Sequence, residues 1–287
     1  MGADAQPQQD TVDIAAALGW ARAQIDLMDA RVLLRHVLQC PASRLVAFPE
    51  QKLAAEDWAE YRALVERRLA GEPVAYLVGQ REFYGRDFLV TPAVLIPRPD
   101  TELLVELALG HFAGRRGVRV LDMGTGSGAL AVTLALELDA PEVVALDRSR
   151  EALWVAMANA AKLGASVSFV QSDWFAALGD ESFELIVANP PYVAAADPHL
   201  EQGDVRFEPL GALASGPRGL DDLQTIVAGA PTRLVDGGWL LLEHGYDQAA
   251  AVRSLLADAG FASISSWQDL AGIERATGGR WLGRGGG

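Results

Sequence analysis

The residues most able to do chemistry form one tetrapeptide, Asn189-Pro190-Pro191-Tyr192. It follows an apolar run, Leu185–Ala188, that reads as a buried strand. Two consecutive prolines cannot extend a sheet ladder, so the backbone leaves the sheet there and its carbonyls are freed. The Asn189 side-chain oxygen and the Pro190 carbonyl can then accept both N–H bonds of one planar NH2 group, with the Tyr192 ring as a wall. Such a grip suits a conjugated, poorly nucleophilic nitrogen, as in an amide or an exocyclic ring amine. Holding both N–H bonds from out of plane favours the lone pair as it develops in the transition state. A simple proline turn after a strand is the bland alternative.

A second candidate is Asp122-Met123-Gly124-Thr125-Gly126-Ser127-Gly128, which ends a strand and precedes a helix. Alternate glycines let the backbone turn sharply and approach a ligand without a Cβ in the way. The helix N-terminus behind them is expected to offer free amides to polar or anionic groups. Asp147 ends the next strand, 23 residues beyond Gly124, where an acid accepts from ribose hydroxyls. Dinucleotide and nucleoside cofactors both use such a loop, so both stay open on these residues alone. Asp173 and Trp174 end a third strand and could flank a purine ring, the carboxylate accepting from its amino group and the indole packing against it. Glu243 and His244 invite an acid–base reading. Adjacent strand residues point to opposite faces, though, so plain sheet-end contacts are expected of them. Arg98 and Glu102 are expected to clamp a helical unit rather than touch substrate.

These groups need elements to position them. From Thr11 to about Val78 the apolar residues recur at helical spacing, as in Ala30, Leu33, Leu34 and Val37. Thr11 or Asp13 is the expected first cap, Asp26 the second, and Pro41 is expected to close the second helix. Trp58, Tyr61, Leu64 and Val65 mark a further helix, ended near Gly71–Pro73. Glu82–Val90 alternates around a Gly-centred turn and reads as a hairpin; Leu95–Glu102 is a rigid connector with Thr101 as a helix cap. Beyond it, strands are expected at Val118–Leu121, Glu142–Leu146, Val167–Val170, Leu185–Ala188 and Trp239–Glu243. Helices are expected at Ala129–Leu138, Arg150–Leu163, Leu220–Leu234 and Gln248–Ala259. Ile264–Trp267 and Arg275–Leu282 could close the sheet as an antiparallel pair. Alternating strands and helices imply a doubly wound α/β sheet with a parallel core. The expected organisation is a helical domain at 1–78, a hairpin and connector at 79–102, and a catalytic domain at 103–287. The Gly285–Gly287 tail is expected to fray.

Composition narrows the class of function. The 287 residues carry a net charge of −14, which argues against holding nucleic acid by its phosphates and suits a basic protein partner. One cysteine, Cys40, excludes a disulfide framework, and four scattered histidines make a metal site unexpected. No apolar run of membrane-spanning length occurs, and the polar start Met1–Asp10 lacks the core of a signal peptide. A cytoplasmic protein that binds neither membrane nor nucleic acid stably is expected.

Taken together, the glycine loop, Asp147, Asp173-Trp174 and Asn189–Tyr192 resemble class I S-adenosylmethionine-dependent methyltransferases that modify planar NH2 groups. Leu95–Glu102, Asp197–Leu200, Gly203–Pro209 and Leu241–Gly245 narrow the likeness to the HemK/PrmC family, the release factor glutamine methyltransferases. The resemblance covers nearly the whole chain. It implies a Rossmann-like, seven-stranded, mostly parallel sheet with a small N-terminal all-helical domain. It also implies in-line transfer of a methyl group to the side-chain amide nitrogen (N5) of the glutamine in the Gly-Gly-Gln loop of class 1 peptide chain release factors, modulating translation termination. By the family pattern Asp122, Gly124, Thr125, Gly126, Ser127, Gly128, Asp147, Asp173, Trp174 and Asn189 line the cofactor. Asn189, Pro190, Pro191 and Tyr192 receive the glutamine, with Asn189, Pro190 and Tyr192 as the catalytic group. A similar glutamine enzyme acting on a ribosomal protein tends to have Pro-Arg-Ser-Pro where this chain has Pro97-Arg98-Pro99-Asp100. DNA adenine methyltransferases share the tetrapeptide but need a basic reading surface. A nicotinamide oxidoreductase shares the first loop but leaves Asn189–Tyr192 without a use. A non-catalytic cofactor-binding scaffold would show cofactor binding without turnover.

Overall fold

Asp13 and Asp26 each start a helix by accepting an otherwise orphaned amide, from Ala16 at 2.9 Å and from Met28 at 2.7 Å. These helices are α1 (Ile14–Arg22) and α2 (Leu27–Val37). The computed structural model describes residues 12–283, so Thr11, the Met1–Asp10 start and the Gly285–Gly287 tail lie outside the described residues. Pro41 does not simply close α2; it stands at the N-cap of α3 (Ala42–Ala47), where its φ of −70° suits a helix start. Helices α4 (Ala55–Leu69) and α5 (Val74–Val78) follow. Ile14, Leu33, Leu34, Tyr61 and Val65 are fully buried among them. The Tyr61 hydroxyl satisfies itself on the Ala30 carbonyl at 3.0 Å. Gly79, left-handed at φ 73°, terminates α5. There the chain divides into two compact units, Met1–Gly79 and Gln80–Gly287.

The second unit begins with the hairpin β1 (Gln80–Phe83) and β2 (Arg86–Leu89). Its Phe83 and Phe88 meet edge to face and are buried against α6 (Glu102–Phe112) and α7 (Ala129–Glu137). The hairpin, expected as part of a separate segment, therefore shares the second unit's core, and the connector falls within the same unit. Asn159, on α8 (Arg150–Leu163), exchanges hydrogen bonds with the Leu89 backbone and donates to the Ser127 carbonyl, tying hairpin to glycine loop.

The sheet comprises β3 (Arg119–Met123), β4 (Glu142–Asp147), β5 (Val167–Gln171), β6 (Phe183–Ala188), β7 (Leu234–Glu243), β8 (Ala262–Gln268) and β9 (Glu274–Arg280). Its order is β5-β4-β3-β6-β7-β9-β8, parallel through β7, with β9 antiparallel to both its neighbours. Strand alternation sorts its side chains onto two cores. Val120, Leu185, Val187 and Leu241 face α6 and α7. Leu121, Met123, Ile186, Leu240 and Leu242 face α9 (Asp221–Gly229) and α10 (Ala249–Asp258). The helix expected over Leu220–Leu234 stops at Gly229. A 3-10 turn carrying Pro231 follows, and β7 starts at Leu234 rather than Trp239. Gly237 and Gly238 are absorbed inside β7 where the β6–β7 register shifts, so residues that look like breakers sit in an irregular strand.

Candidate active site

β3 pairs with β4 on one side and β6 on the other, so the strand order reverses between β3 and β6. In open α/β sheets the crevice outside the strand C-termini at such a point holds ligands. A cavity opens there, lined by Gly124–Ser127 of the glycine loop, Asp122, Asp147, Asp173, Trp174, Asn189 and Pro191, with Pro97, Arg98 and Thr101 from the connector. Gly128, expected against the cofactor, and Pro190 and Tyr192, expected at the substrate, are not among the lining residues.

Gly124, Gly126 and Gly128 all have positive φ, of 75°, 55° and 82°. A methyl group at Gly128 would meet the Ala156 backbone at 3.2 Å. The loop's own amides are largely engaged within the protein. Gly124 and Thr125 both donate to the Leu146 carbonyl, Gly128 to the Thr125 carbonyl, and Gly126 to Asp147 Oδ2 at 2.9 Å. In the first turn of α7, the Ala131 amide donates to Asp122 Oδ2, which also accepts from the Thr125 hydroxyl at 2.6 Å. A carboxylate thus occupies the helix end where a pyrophosphate would have to bind, which disfavours a dinucleotide. Asp147 Oδ1 accepts from the Ser149 amide, leaving lone pairs on both of its oxygens for a ligand.

Trp174 adopts a left-handed φ of 46°, held by Ser172, whose hydroxyl donates to the Trp174 carbonyl and accepts from the Ala177 amide. Its indole Nε1 donates to Asp222, and the ring edge lies beside Gly124, 3.5 Å from where a Cβ would stand. Asp173 is exposed at the cavity's rim.

Asn189 brings a different group of residues together. Its Nδ2 donates to Thr101 Oγ1 at 3.0 Å, Thr101 Oγ1 donates to Glu243 Oε2 at 2.6 Å, and the Tyr192 hydroxyl donates to Glu243 Oε1 at 3.2 Å. Thr101 stands at the N-cap position of α6, as expected, but its hydroxyl is committed to this buried chain and makes no capping bond. Glu243, expected to make only sheet-end contacts, belongs to the site. The parity that separates it from His244 puts it on the face of Asn189, one position past the Ala188–Leu242 pair. His244 takes the other side, bonding Thr277 and the Gly245 carbonyl. Arg98 pairs with the buried Glu208, which also accepts from the Ile96 amide, and Glu102 accepts from the Tyr84 amide. Both connector side chains thus have partners inside the second unit.

Burial pushes the Asp122 carboxyl up to about 7, with the Asp147 charge adding, against the bonds from Thr125 and Ala131. Burial likewise pushes Glu243 up to about 7, opposed by the bonds from Thr101 and Tyr192. Asp147 is raised by burial, and Tyr192 is raised by burial and by the Glu243 charge. Between about pH 4 and 7 the folded chain holds protons on Asp122 and Glu243 that the unfolded chain releases, so these groups make stability fall as pH rises through that window. The thermal midpoint of the ligand-free protein is expected to decline across it, and to decline less in Asp122→Asn. An equal decline in both would contradict the assignment to Asp122.

Asp122 Oδ1 is buried and has no hydrogen-bond partner, so it can receive a donor from a ligand. With Asp147 beside it, the lining fits a hydroxyl-bearing ligand that carries positive charge. Among the described residues, no cluster of His, Cys, Asp or Glu could hold a metal ion, and no helix is long and apolar enough to cross a membrane.

Comparison with known proteins matches residues 16–79 to the family model for the PrmC N-terminal domain and residues 100–204 to that for the methyltransferase small domain. A release factor glutamine methyltransferase from Burkholderia pseudomallei is 53% identical over 263 residues, 89% of this chain and 92% of that protein. Another from Vibrio cholerae is 47% identical over 280 residues, covering 94% of this chain and 98% of that protein. Among solved structures, the Thermus thermophilus 16S rRNA N2 G1207 methyltransferase in complex with AdoMet and guanosine is similar in fold. Its TM-score is 0.53 at 22% identity, over 70% of this chain and 49% of that one.

Proposed function

The chain belongs to the release factor glutamine methyltransferase family, and from that premise we propose that it methylates the side-chain amide nitrogen (N5) of the glutamine in the Gly-Gly-Gln loop of class 1 release factors. The observation that carries this reading is the Asn189 side chain at the cavity wall: its Nδ2 is committed to Thr101, leaving Oδ1 to accept from an NH2 group. When bound, S-adenosylmethionine supplies an electrophilic methyl group on a cationic sulfur. Gly124–Ser127, Asp122, Asp147, Asp173 and Trp174 would hold it, with Asp147 accepting from ribose hydroxyls and the charge of Asp147, joined by Asp122 when ionised, favouring its positive sulfur. Asn189 Oδ1 and the Pro190 carbonyl would accept the two N–H bonds of the glutamine, turning its lone pair toward the donor. Alignment of this kind contributes on the order of 7–11 kcal/mol to lowering a two-reactant barrier. Asn189 is too weak a base to take the proton, which leaves the nitrogen after methylation has raised its acidity. The hydroxyl of Tyr192 bonds Glu243, which in turn accepts from Thr101, so Tyr192 steadies the carboxylate behind Asn189's partner.

A methyl-transfer assay with a release factor, followed by peptide mass spectrometry, tests the reading. One added methyl on the Gly-Gly-Gln glutamine, absent when that glutamine is replaced, is the expected result. A methyl on any other residue, or none, overturns it.

The helical unit and the hairpin are proposed as the docking surface for the release factor, and the chain's acidic balance of −14 favours a basic partner. Deleting residues 1–78 is expected to weaken release factor binding at least tenfold while cofactor binding persists, since the second unit has its own core. Unchanged affinity for the release factor, read by calorimetry, would refute the docking role. A cytoplasmic location, with neither stable nucleic acid binding nor membrane attachment, follows from the same reading.

A further inference from the structure

We propose that Thr101 and Glu243 are positioning residues that fix which way round the Asn189 amide stands, so that its oxygen and not its nitrogen meets the incoming NH2 group. An asparagine amide is nearly symmetric in shape, and turned by 180° it would present two N–H donors to an NH2 group that also offers only donors. Something must set its polarity, and the hydrogen-bond directions along this chain do so. Once Glu243 is ionised, above about pH 7, its carboxylate only accepts, so the single Thr101 proton goes to Oε2 at 2.6 Å. The Thr101 oxygen is then left with lone pairs alone, and the neighbour 3.0 Å away must donate: that atom is Asn189 Nδ2. Oδ1 consequently turns to the cavity. Tyr192, by donating to Glu243 Oε1, keeps the carboxylate accepting at both oxygens. Thr101 and Glu243 are almost wholly buried, so water does not compete for these bonds. Neither residue needs to touch the substrate; both act through Asn189.

The inference rests on the proposed function for its purpose, but its geometry is testable without turnover. In the full-length protein, the Asn189 side-chain NH2 protons are expected to exchange slowly with water in 15N-resolved NMR. Free exchange, as for an exposed asparagine, would overturn the proposal whether or not the protein methylates a release factor. In turnover, Thr101→Val keeps the side chain's volume and removes the acceptor. It is expected to lower kcat at least tenfold, with the Kd for S-adenosylmethionine changed less than threefold. Thr101→Ser, which restores the hydroxyl, is expected to recover kcat to within about threefold of the parent. Parental kcat in Thr101→Val, or failure of the serine to restore it, would overturn the positioning role. An unmodified release factor with the parent protein would instead overturn the proposed function and leave the exchange measurement standing.

Discussion

Replacing Asn189 by alanine is expected to lower kcat for methyl transfer by about 10²- to 10³-fold, or about 3–4 kcal/mol, the usual effect of removing one preorganised hydrogen-bonding group from a reacting centre. The side chain is held by Thr101 before any substrate arrives, so its oxygen meets the developing charge without reorganising. Cofactor affinity is expected to change by less than about threefold, because the glycine loop and the two aspartates keep their own hydrogen bonds without Asn189. Single-turnover rates at saturating donor, set beside a calorimetric Kd, separate the two effects. A variant that turns over at the parental rate would eliminate the amide grip.

Gly219→Ala is expected to be the most damaging change outside the motifs. Gly219 stands at φ +70°, and a Cβ there would lie 2.1 Å from the Tyr192 carbonyl oxygen and 2.8 Å from Gln248 Nε2. The left-handed backbone alone costs a non-glycine residue about 1–2 kcal/mol. The overlap then forces the Tyr192 carbonyl off Gln248, whose amide nitrogen bonds the carbonyls of Tyr192 and Gly219 and whose oxygen accepts from the Gly245 amide. With a buried polar bridge broken, the total destabilisation should reach about 3 kcal/mol or more. Denaturant unfolding measures it, and the same displacement of Tyr192 should depress turnover. A stability within about 0.5 kcal/mol of the parent would mean that the loop relaxes freely, contrary to this packing.

What could be read from the chain and what could not divides along the range of the forces involved. The cavity positions of Asn189, Pro191 and Gly124–Ser127 were legible because strand ends, prolines and glycines are local signals, each acting within a few residues, whereas Gly128, Pro190 and Tyr192 lie off the lining. The alternating pattern likewise gave β4, β6 and the final antiparallel pair to within a residue or two at most ends. Thr101 holds the N-cap position that local sequence indicates, but its hydroxyl serves Asn189 and Glu243, 88 and 142 residues away, which no local signal reveals. Glu243 was within reach: counting alternation from Leu241 and from Val187 puts it and Asn189 on one face, and only the pairing of β6 with β7 was needed to join them. The free helix amides were expected from the glycine spacing, but Asp122 claims one of them from nine residues back. Gly219 gave no signal at all, since its constraint is another segment's carbonyl.

The internally bonded glycine loop has a consequence for how the donor is told from its spent form. Ordering a backbone residue costs about 1–2 kcal/mol; here the bonds of Gly124, Thr125, Gly126 and Gly128 meet that cost during folding. A ligand therefore meets a seat that is already formed, and its binding free energy carries no charge for shaping it. The same holds for the product, so the loop's shape cannot discriminate between the two. On the proposed function, the molecule that enters bears a positive sulfur and the one that leaves does not. Exchange of product for fresh donor is then governed by electrostatic potential from Asp147, joined by Asp122 as it ionises near pH 7, rather than by conformational change, and it should weaken as either acid is neutralised.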